Sequence, residues 1–370
     1  MSDVSHVKSD NSDLPPYARQ FDAIRSYAEQ VEVMRSSNFT QDQHPSRRSV
    51  IGRSINFTDG PEHLQLKIVL ASLFTKDAMS YYEHRLLEPT IDQVMAELQA
   101  KRGADGLART DLIPLIRSIV YRISAGIAGI DNVDTPARTE RFRGLLLPLA
   151  AGIEAQFATG SMNGALTEGQ QALRSMVDEF LQPSLERRRM LVKRFKEGEI
   201  DKKDLPRDAL TTICLHDRDT VPEGDDKYDA YVWHESAFFA FAASGTTTST
   251  MPHVVIEISE WLEKHPEDAE KIHDPVFLRA AIGEALRLHQ VAPARFRTAI
   301  EDIELSTGRK IAAGETVALV GPDANREEEY FGENPLEYNP YRKPKGGALP
   351  WGVTFGSGTH MCCGRSLVTG

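Results

Sequence analysis

The segment Phe355–Gly364 constrains this chain more than any other part of it. The segment reads FGSGTHMCCG, so three glycines and a histidine surround a pair of cysteines. Glycine tolerates positive φ and lets the backbone approach a flat ligand, which predicts a tight loop. A thiolate in such a loop, with backbone N–H groups directed at it, suits a single bond to a soft metal. The alternative is a turn with two small buried cysteines, and an adjacent pair is a poor match for a zinc site.

The spacing Phe-x-x-Gly-x-x-x-Cys-x-Gly resembles the haem-ligand signature of the cytochrome P-450 family, and every fixed position is filled. The resemblance implies that Cys362, rather than Cys363, binds the iron of haem b, and that Phe355 and Gly364 belong to the cofactor site. A thiolate ligand pushes electron density onto the iron and favours O–O cleavage. The resemblance also implies a mainly α fold with a small β region, in which helices sandwich the haem.

A second motif is the pair Glu284 and Arg287, which are three residues apart and therefore share one face of a helix. As an exposed pair they would contribute only ~0.2–0.5 kcal/mol. The pair resembles the Glu-x-x-Arg helix of the same family, where it is buried and joined by an arginine from a later loop. Arg342 matches that third partner. The resemblance implies a structural network rather than a catalytic one.

Several basic residues match positions that bind the haem propionates in the family. The segment Asp59–Lys67 resembles Asp-Pro-Pro-x-His-x-x-x-Arg, which places His63 and Lys67 on one helix face. Lys67 replaces the usual arginine and keeps its charge but not its bidentate geometry. Arg297 and His360 match two further propionate contacts. The alternative for each is a surface basic residue or a histidine satisfied by the protein.

The segment Ala237–Thr250 reads AFFAFAASGTTTST and predicts an apolar helix that ends in hydroxylated residues. It resembles the distal helix of the family, which opens near a threonine because hydroxyls compete for backbone carbonyls. One register makes Thr246, with Thr247 beside it, the oxygen-activating hydroxyl and puts Gly245 where the family has an acid. Counting back from Lys264-His265-Pro266 favours Thr250 instead. The alternative is a threonine-rich core helix with no catalytic hydroxyl.

The rest of the sequence predicts several other helices and a small amount of strand. The hairpin is predicted at Ile303–Ile311 and a further strand at Glu315–Val320, while Gly321–Trp351 reads as a long ordered loop. Helices are predicted at Tyr27–Ser36, Glu62–Phe74, Tyr81–Leu98, Leu112–Ile130 and Gln170–Glu197.

Composition narrows the class of protein. The net charge of −11, from 43 basic and 54 acidic residues, argues against nucleic-acid binding. Three cysteines make no disulfide framework, which favours a reducing compartment. Residues 1–20 are polar and have no apolar core of a signal peptide, so we expect a cytoplasmic protein without a membrane anchor. We expect a polar segment at 1–26 and a single haem domain at 27–370 whose C-terminal end is short relative to the family.

The resemblance implies a monooxygenase that oxidises a small organic substrate with electrons from a ferredoxin or flavodoxin-type donor. Lys345 and Arg365 flank the Cys362 loop and could attract such an acidic partner. Arg53 and Arg295 could meet a substrate carboxylate, although a lone loop arginine is usually solvated. The alternatives are a haem-thiolate enzyme outside this cycle, such as a peroxide user or a coupling or rearrangement enzyme, and a non-catalytic haem binder.

Overall fold

Helices make up most of the structure. The computed structural model describes residues 11–16, 18–41, 50–52, 54–155, 163–216 and 225–369. The α-helices are α1 (Tyr27–Arg35), α2 (Gly60–Leu70), α3 (Lys76–Tyr82), α4 (Glu88–Gln99), α5 (Leu112–Ala128), α6 (Pro136–Ala155), α7 (Asn163–Met176), α8 (Gln182–Lys196), α9 (Ala209–Leu215), α10 (Asp225–Lys264), α11 (Pro275–Leu288), α12 (Gly321–Ala324), α13 (Glu328–Phe331) and α14 (Arg365–Thr369). The strands are β1 (Asp22–Ile24), β2 (Phe39–Thr40), β3 (Ala294–Ala299), β4 (Ile303–Glu304), β5 (Lys310–Ile311) and β6 (Thr316–Val320). The mainly α fold with a small β region is therefore confirmed.

The chain divides into two compact units. The first comprises residues 1–43 and 253–365, and the second comprises residues 44–252 and 366–368. Helix α10 contributes residues to both, with the division after Pro252.

The first unit contains all the strands. One sheet has the order β1-β6-β3-β2, with β1 parallel to β6 and the other pairs antiparallel, and β4 pairs with β5 as the predicted hairpin. Strand β6 is almost wholly buried, and its Val317 and Leu319 pack with Ile24, Val33 and Phe331 in the core of this unit. This core holds β3, which carries Arg295 and Arg297, in a fixed register.

The second unit consists of helices and their connecting loops, with no strand among its described residues. Its largest core joins α5, α6 and α10 through residues such as Phe142, Leu149 and Ala240, all of which are fully buried. Helices α6 and α7 cross closely at Gly152 and Gly169, where an added Cβ on either glycine would lie 2.9 Å from the Cα of the other. Small residues are therefore required at this crossing.

Two of the predicted long helices contain a widened turn. A π-helical segment occupies Glu83–Leu87 before α4, and another occupies Val177–Leu181 before α8. Each precedes a proline, Pro89 or Pro183, in the first turn of the next helix. Proline cannot donate to the carbonyl four residues earlier and its ring clashes with it, so the widened turn relieves the clash.

Other parts of the sequence reading need adjustment. The segment Gly321–Trp351, predicted as a loop, begins with the short helices α12 and α13. The polar segment 1–26 contributes β1, which pairs with β6 from Asp22 to Ile24. Among the residues that the structure describes, no helix is long and apolar enough to cross a membrane.

Candidate functional site

The structure brings Glu284, Arg287 and Arg342 together in one ion network in the first unit. Arg287 is fully buried and donates from Nε and Nη2 to the two oxygens of Glu284 at 2.8 and 2.7 Å. Arg342 donates from Nε to Oε1 of the same carboxylate at 2.7 Å. The remaining guanidinium N–H groups reach backbone carbonyls, including Asn325 O at 2.6 Å and Glu337 O at 2.7 Å. Every strong donor in this network therefore has an acceptor within the protein.

The Cys362 loop is a tight turn of the kind that its glycines predict. Gly356 and Gly358 have φ of 71° and 68°, in the left-handed region that side chains disfavour. A Cβ on Gly358 would also lie 2.3 Å from Met34 O, so α1 approaches the loop too closely for any other residue. The N–H of Cys362 donates to Phe355 O at 2.9 Å, which closes the turn. Cys362 is exposed, whereas Cys363 is partly buried.

Strand β3 carries two arginines beside this loop in the same unit. Arg295 and Arg297 are two residues apart and therefore lie on one face of the strand. Arg297 is buried and donates from Nη1 to Gln41 Oε1 at 3.1 Å and to Phe296 O at 2.7 Å. Arg295 donates from Nη2 to Thr354 O, immediately before the loop. Of these two arginines, only Arg297 belonged to the predicted propionate contacts.

The predicted contacts His63 and Lys67 lie on α2 in the second unit, whereas Arg297, His360, Phe355 and Gly364 belong to the first. His63 is buried, and its Nδ1 lies 3.1 Å from Ile55 O. Lys67 is half-buried one helical turn later. The Ile55 carbonyl also accepts from Thr58 Oγ1 at 3.1 Å, so the turn before α2 fixes the imidazole ring.

Helix α10 is unbroken through the hydroxyl-rich segment, so the expected opening near Thr246 is wrong. Thr246 is exposed, and its Oγ1 donates to Ala242 O at 2.6 Å instead of displacing the helical hydrogen bonds. Side chains that donate in the same way to the carbonyl four residues earlier are Ser244, Ser249 and Thr250. These bonds are compatible with a continuous helix and explain why the hydroxyls do not open it.

The weak point of α10 lies later, at Pro252. Proline has no N–H, so the Thr248 carbonyl loses the donor that a helix would otherwise supply. The Thr248 hydroxyl is buried and has no partner among the described residues. Thr247 lies beside it and is partly exposed. Pro252 is the residue in the sequence that could have predicted this interruption of the helical hydrogen bonds.

Glu235 is a buried carboxyl group that the sequence analysis missed. It lies on α10 in the second unit, has no exposed surface, and accepts the Ile55 N–H at Oε2 with a distance of 2.7 Å. Its Oε1 has no partner within the described part of the chain. Burial raises the pKa of Glu235 to about 8. The backbone of Ile55 therefore contacts Glu235 through its N–H and His63 through its carbonyl.

The donors beside Cys362 fit a planar, acidic cofactor such as haem. The buried Nε1 of Trp351 has no acceptor in the described structure, and its ring packs edge-on against Phe355 with centroids 5.7 Å apart. No group of three or more His, Cys, Asp or Glu side chains in the described ranges could hold a metal ion by itself. A porphyrin supplies four nitrogen ligands of its own, so its iron needs only one thiolate from the protein.

Two basic residues flank the loop. Lys345 is exposed, and its N–H donates to Tyr330 O at 2.7 Å, which fixes the backbone at this position. Arg365 is partly buried, with Nη1 at 3.1 Å from Met361 Sδ and its guanidinium 6.0 Å from the centre of the Trp351 ring. Arg365 thus contacts residues of the Cys362 loop and Trp351, while Lys345 precedes the loop in the sequence.

Comparison with known proteins identifies the family. The family model for cytochrome P450 matches residues 25–369. The chain is 31% identical to cytochrome P450-terp from Pseudomonas sp over 177 residues, which is 47% of this chain and 37% of that protein. It is 26% identical to the C-19 steroid 1alpha-hydroxylase of Sorangium cellulosum over 317 residues, covering 83% of this chain and 68% of the relative.

Solved structures show the same fold. Cytochrome P450 260B1 of Sorangium cellulosum superposes with a TM-score of 0.69 at 18% identity, over 94% of this chain and 78% of the other. P450BioI, solved with an acyl carrier protein that bears hexadec-9Z-enoic acid, has a TM-score of 0.68 at 22% identity, over 94% and 82%. Together with the family match, these findings show that the chain belongs to the cytochrome P450 family of haem-thiolate oxidoreductases.

Proposed function

We propose that this protein is a cytoplasmic haem-dependent monooxygenase that oxidises a small organic substrate with electrons from a redox partner. The observation that carries the proposal is the Cys362 loop, in which Gly356 and Gly358 take positive φ and the Cys362 N–H closes the turn onto Phe355 O. A thiol presented in this way is suited to bind one metal ion from one side. We further propose that residues 27–370 act as one haem domain.

The residues that would hold haem b have distinct roles. Cys362 would bind the iron, and Phe355 and Gly364 would lie against the cofactor on the same side. As the family resemblance implies, the propionates would pair with Arg297, His360, His63 and Lys67. When bound, haem supplies the iron at which dioxygen is activated for insertion of one oxygen atom into the substrate.

Helix α10 would provide the hydroxyl groups that transfer protons in this reaction. The Thr246 hydroxyl uses its proton in the bond to Ala242 O, so it can accept a hydrogen bond without moving. Thr247 makes no such bond among the described contacts and could donate. A hydroxyl that passes protons needs a source, and Ala242–Thr250 contains no carboxylate. Water or a substrate group would therefore supply the proton to Thr246 or Thr247.

An acidic ferredoxin or flavodoxin would deliver the electrons. Lys345 and Arg365 are positive groups near the Cys362 loop in a chain of net charge −11, so they would steer an acidic partner to this face. Reduction by such a donor should slow as ionic strength rises. Lys345→Glu should reduce this salt dependence, whereas Lys310→Glu, at an exposed lysine of the hairpin, should not.

Hydroxylation of a small molecule is supported by the names of the relatives. One is a C-19 steroid 1alpha-hydroxylase and another is a pentalenic acid synthase from Streptomyces avermitilis. The first name describes hydroxylation of a steroid, and the second names a small organic acid as the product. The proposal takes only this shared class and not the particular substrate.

A peroxide-using haem-thiolate enzyme is the second candidate. The missing carboxylate in Ala242–Thr250 favours it, because peroxide arrives with its oxygens already protonated and needs less proton delivery. Coupling and rearrangement enzymes belong to the same alternative.

The test is the absorption spectrum of the reduced, carbon-monoxide-bound protein, followed by turnover with two oxidant systems. A red-shifted Soret band would support thiolate-ligated haem. Product formed with reduced ferredoxin and dioxygen would support the monooxygenase, and product formed only with hydrogen peroxide would support the second candidate. A haem protein that turns over with neither would be a non-catalytic binder.

A further inference from the structure

Arg295 is a half-buried guanidinium whose acceptors are all neutral. Its Nη2 donates to Thr354 O. The Gln290 amide, oriented so that its oxygen faces the arginine, accepts from Nη1 and Nη2 at 3.0 and 3.1 Å. Gln290 in turn packs onto Gly321, where an added Cβ would lie 2.2 Å from the amide. This arrangement is therefore built into the fold, because only glycine at 321 leaves room for the glutamine.

Several other arginines that are largely removed from solvent are paired with carboxylates. Arg287 and Arg342 share Glu284, Arg122 donates to both oxygens of Glu97 at 2.9 and 2.8 Å, and Arg188 donates to Asp131 and Asp208 at 2.8 Å. Within the described ranges, Arg295 makes no ion pair. A desolvated cation without a counter-charge is destabilising. Desolvation accordingly lowers the pKa of Arg295 to about 10, while the negative charge of Cys362 acts in the opposite direction.

The position of Arg295 indicates where its counter-charge would come from. Arg297 follows two residues later on the same face of β3, roughly 7 Å along the strand. An acidic group bound at this face of the strand would lie near both cations. Arg295 also lies within electrostatic reach of Cys362 and bonds the backbone immediately before its loop. A ligand seated at that loop would therefore bring its acidic groups to Arg295.

We propose that Arg295 binds a carboxylate of a ligand seated at the Cys362 loop. A guanidinium can hold a carboxylate with two parallel hydrogen bonds, and a lysine cannot reproduce this geometry. The carboxylate has two possible sources, a haem propionate or an acidic group on the substrate. The proposal rests on the proposed function, because it assumes that haem occupies the loop.

The first arm of the test concerns the propionate. Full-length wild type, Arg295→Gln and Arg295→Lys are loaded with haem or with haem dimethyl ester, and transfer to excess apomyoglobin is timed. If the propionate is the partner, Arg295→Gln should release haem about 10- to 100-fold faster, as expected for loss of a hydrogen bond between charged groups. Arg295→Lys should give an intermediate rate. The dimethyl ester should leave wild type and variants at equal rates.

The second arm concerns the substrate. Dodecanoate, benzoate and their methyl esters are titrated into the haem-loaded proteins, and the shift of the Soret band gives the affinity. If the substrate supplies the carboxylate, Arg295→Gln should weaken the acids about 10- to 100-fold and leave the esters unchanged. Haem transfer should then be the same in wild type and variant.

The matched control is Arg143→Gln, which removes an arginine paired with Glu140 on the surface of α6 and should change neither measurement. If Arg295→Gln fails to fold, both measurements are made with Arg295→Lys, which retains the positive charge. The Arg295 proposal would be overturned if the variants match wild type in both arms, or if they weaken acids and esters equally. The proposed function would still stand in that case, provided that the reduced carbon-monoxide complex shows the red-shifted Soret band. Absence of this band in wild type would overturn both proposals.

Discussion

Two groups of charged side chains in the first unit differ in whether the protein itself balances their charge. Glu284 accepts from Arg287 and Arg342 at 2.7–2.8 Å, and backbone carbonyls take their remaining donors. Arg295 has only neutral acceptors and lies near the Cys362 loop. The first group is complete without a ligand, so it serves the fold. The second has no counter-charge among the described residues, which is why we propose that it binds a ligand.

The second unit contains a third arrangement. Glu235 has no exposed surface and no cationic partner among the described residues, and burial raises its pKa to about 8, which favours the protonated form at neutral pH. Burial of an ionisable group is thus tolerated in three ways: by a partner in the protein, by a ligand, or by a proton. Each way predicts a different response to mutation.

The largest effect should follow loss of the Cys362 thiol, which lies near Arg295 and is the proposed ligand of the haem iron. Cys362→Ser should fold but lose the red-shifted Soret band of the reduced carbon-monoxide complex completely, because serine does not provide a thiolate. Cys363→Ala, at the adjacent partly buried cysteine, is the matched control and should retain the band. The opposite pattern would assign the ligand to Cys363 and displace the loop register by one residue.

Mutation of the network formed by Glu284, Arg287 and Arg342 should lower the free energy of unfolding. Arg287→Ala leaves the Glu284 carboxylate buried with Arg342 as its only cation, and should lower the free energy of unfolding by about 3–5 kcal/mol. Urea unfolding of purified protein, or the yield of folded protein, measures this loss. Arg143→Ala breaks an exposed pair and should lose no more than about 1 kcal/mol. Equal losses in the two variants would contradict a structural role for the network.

The contribution of protonated Glu235 to stability should depend on pH. Because burial raises the pKa of Glu235 from 4.5 to about 8, the stability held by its proton is fully present below pH 4.5 and is lost as pH rises towards 8. Wild type should therefore lose up to about 1.4 kcal/mol of unfolding free energy per pH unit in this window, relative to Glu235→Gln. Urea titrations from pH 5 to 8.5 test the difference.

The control for this pH effect is Glu140→Gln, which neutralises an exposed carboxylate on α6. Arg143 holds the pKa of Glu140 below its usual range, chiefly through a hydrogen bond, so the titration of this group lies outside the window. A constant difference between wild type and Glu235→Gln across the window would show that the carboxyl group is already ionised at pH 5.

The spacing of the motif residues predicted the local geometry that the structure shows, whereas their roles stay predictions. Glu284 and Arg287 share a helix face because they are three residues apart, and the glycines of the Cys362 loop predict its tight turn. The fold class followed from the same motifs. In contrast, the helix opening near Thr246 was predicted incorrectly, because hydroxyls that bond the carbonyl four residues earlier can leave a helix intact.

Two important groups could not be found from spacing at all. Glu235 looks like any helical glutamate until tertiary packing removes it from water and places the Ile55 N–H against it. Arg295 was singled out only as a loop arginine, and its neutral partners Gln290 and Thr354 are 5 and 59 residues away. Burial and long-range contact decide both cases. Arg53, the other arginine considered for a carboxylate, lies outside the described residues.

The smallest effect should appear in oxygen chemistry, where α10 lacks a carboxyl group beside its hydroxyls. A Cβ at Gly245 would meet only Phe241, at 3.9 Å, so this position has room for a side chain. Gly245→Asp would place an acid next to Thr246, and general acid catalysis of this kind contributes roughly 10²–10⁴-fold to a proton transfer. Because coupling is limited by other steps, we expect a rise of only a few-fold in product per electron pair. Gly245→Asn has the same shape without the acid and should show no gain, while hydrogen peroxide should support wild type and both variants alike. Tight coupling in wild type, or an equal gain from asparagine, would show that proton delivery does not pass through Thr246.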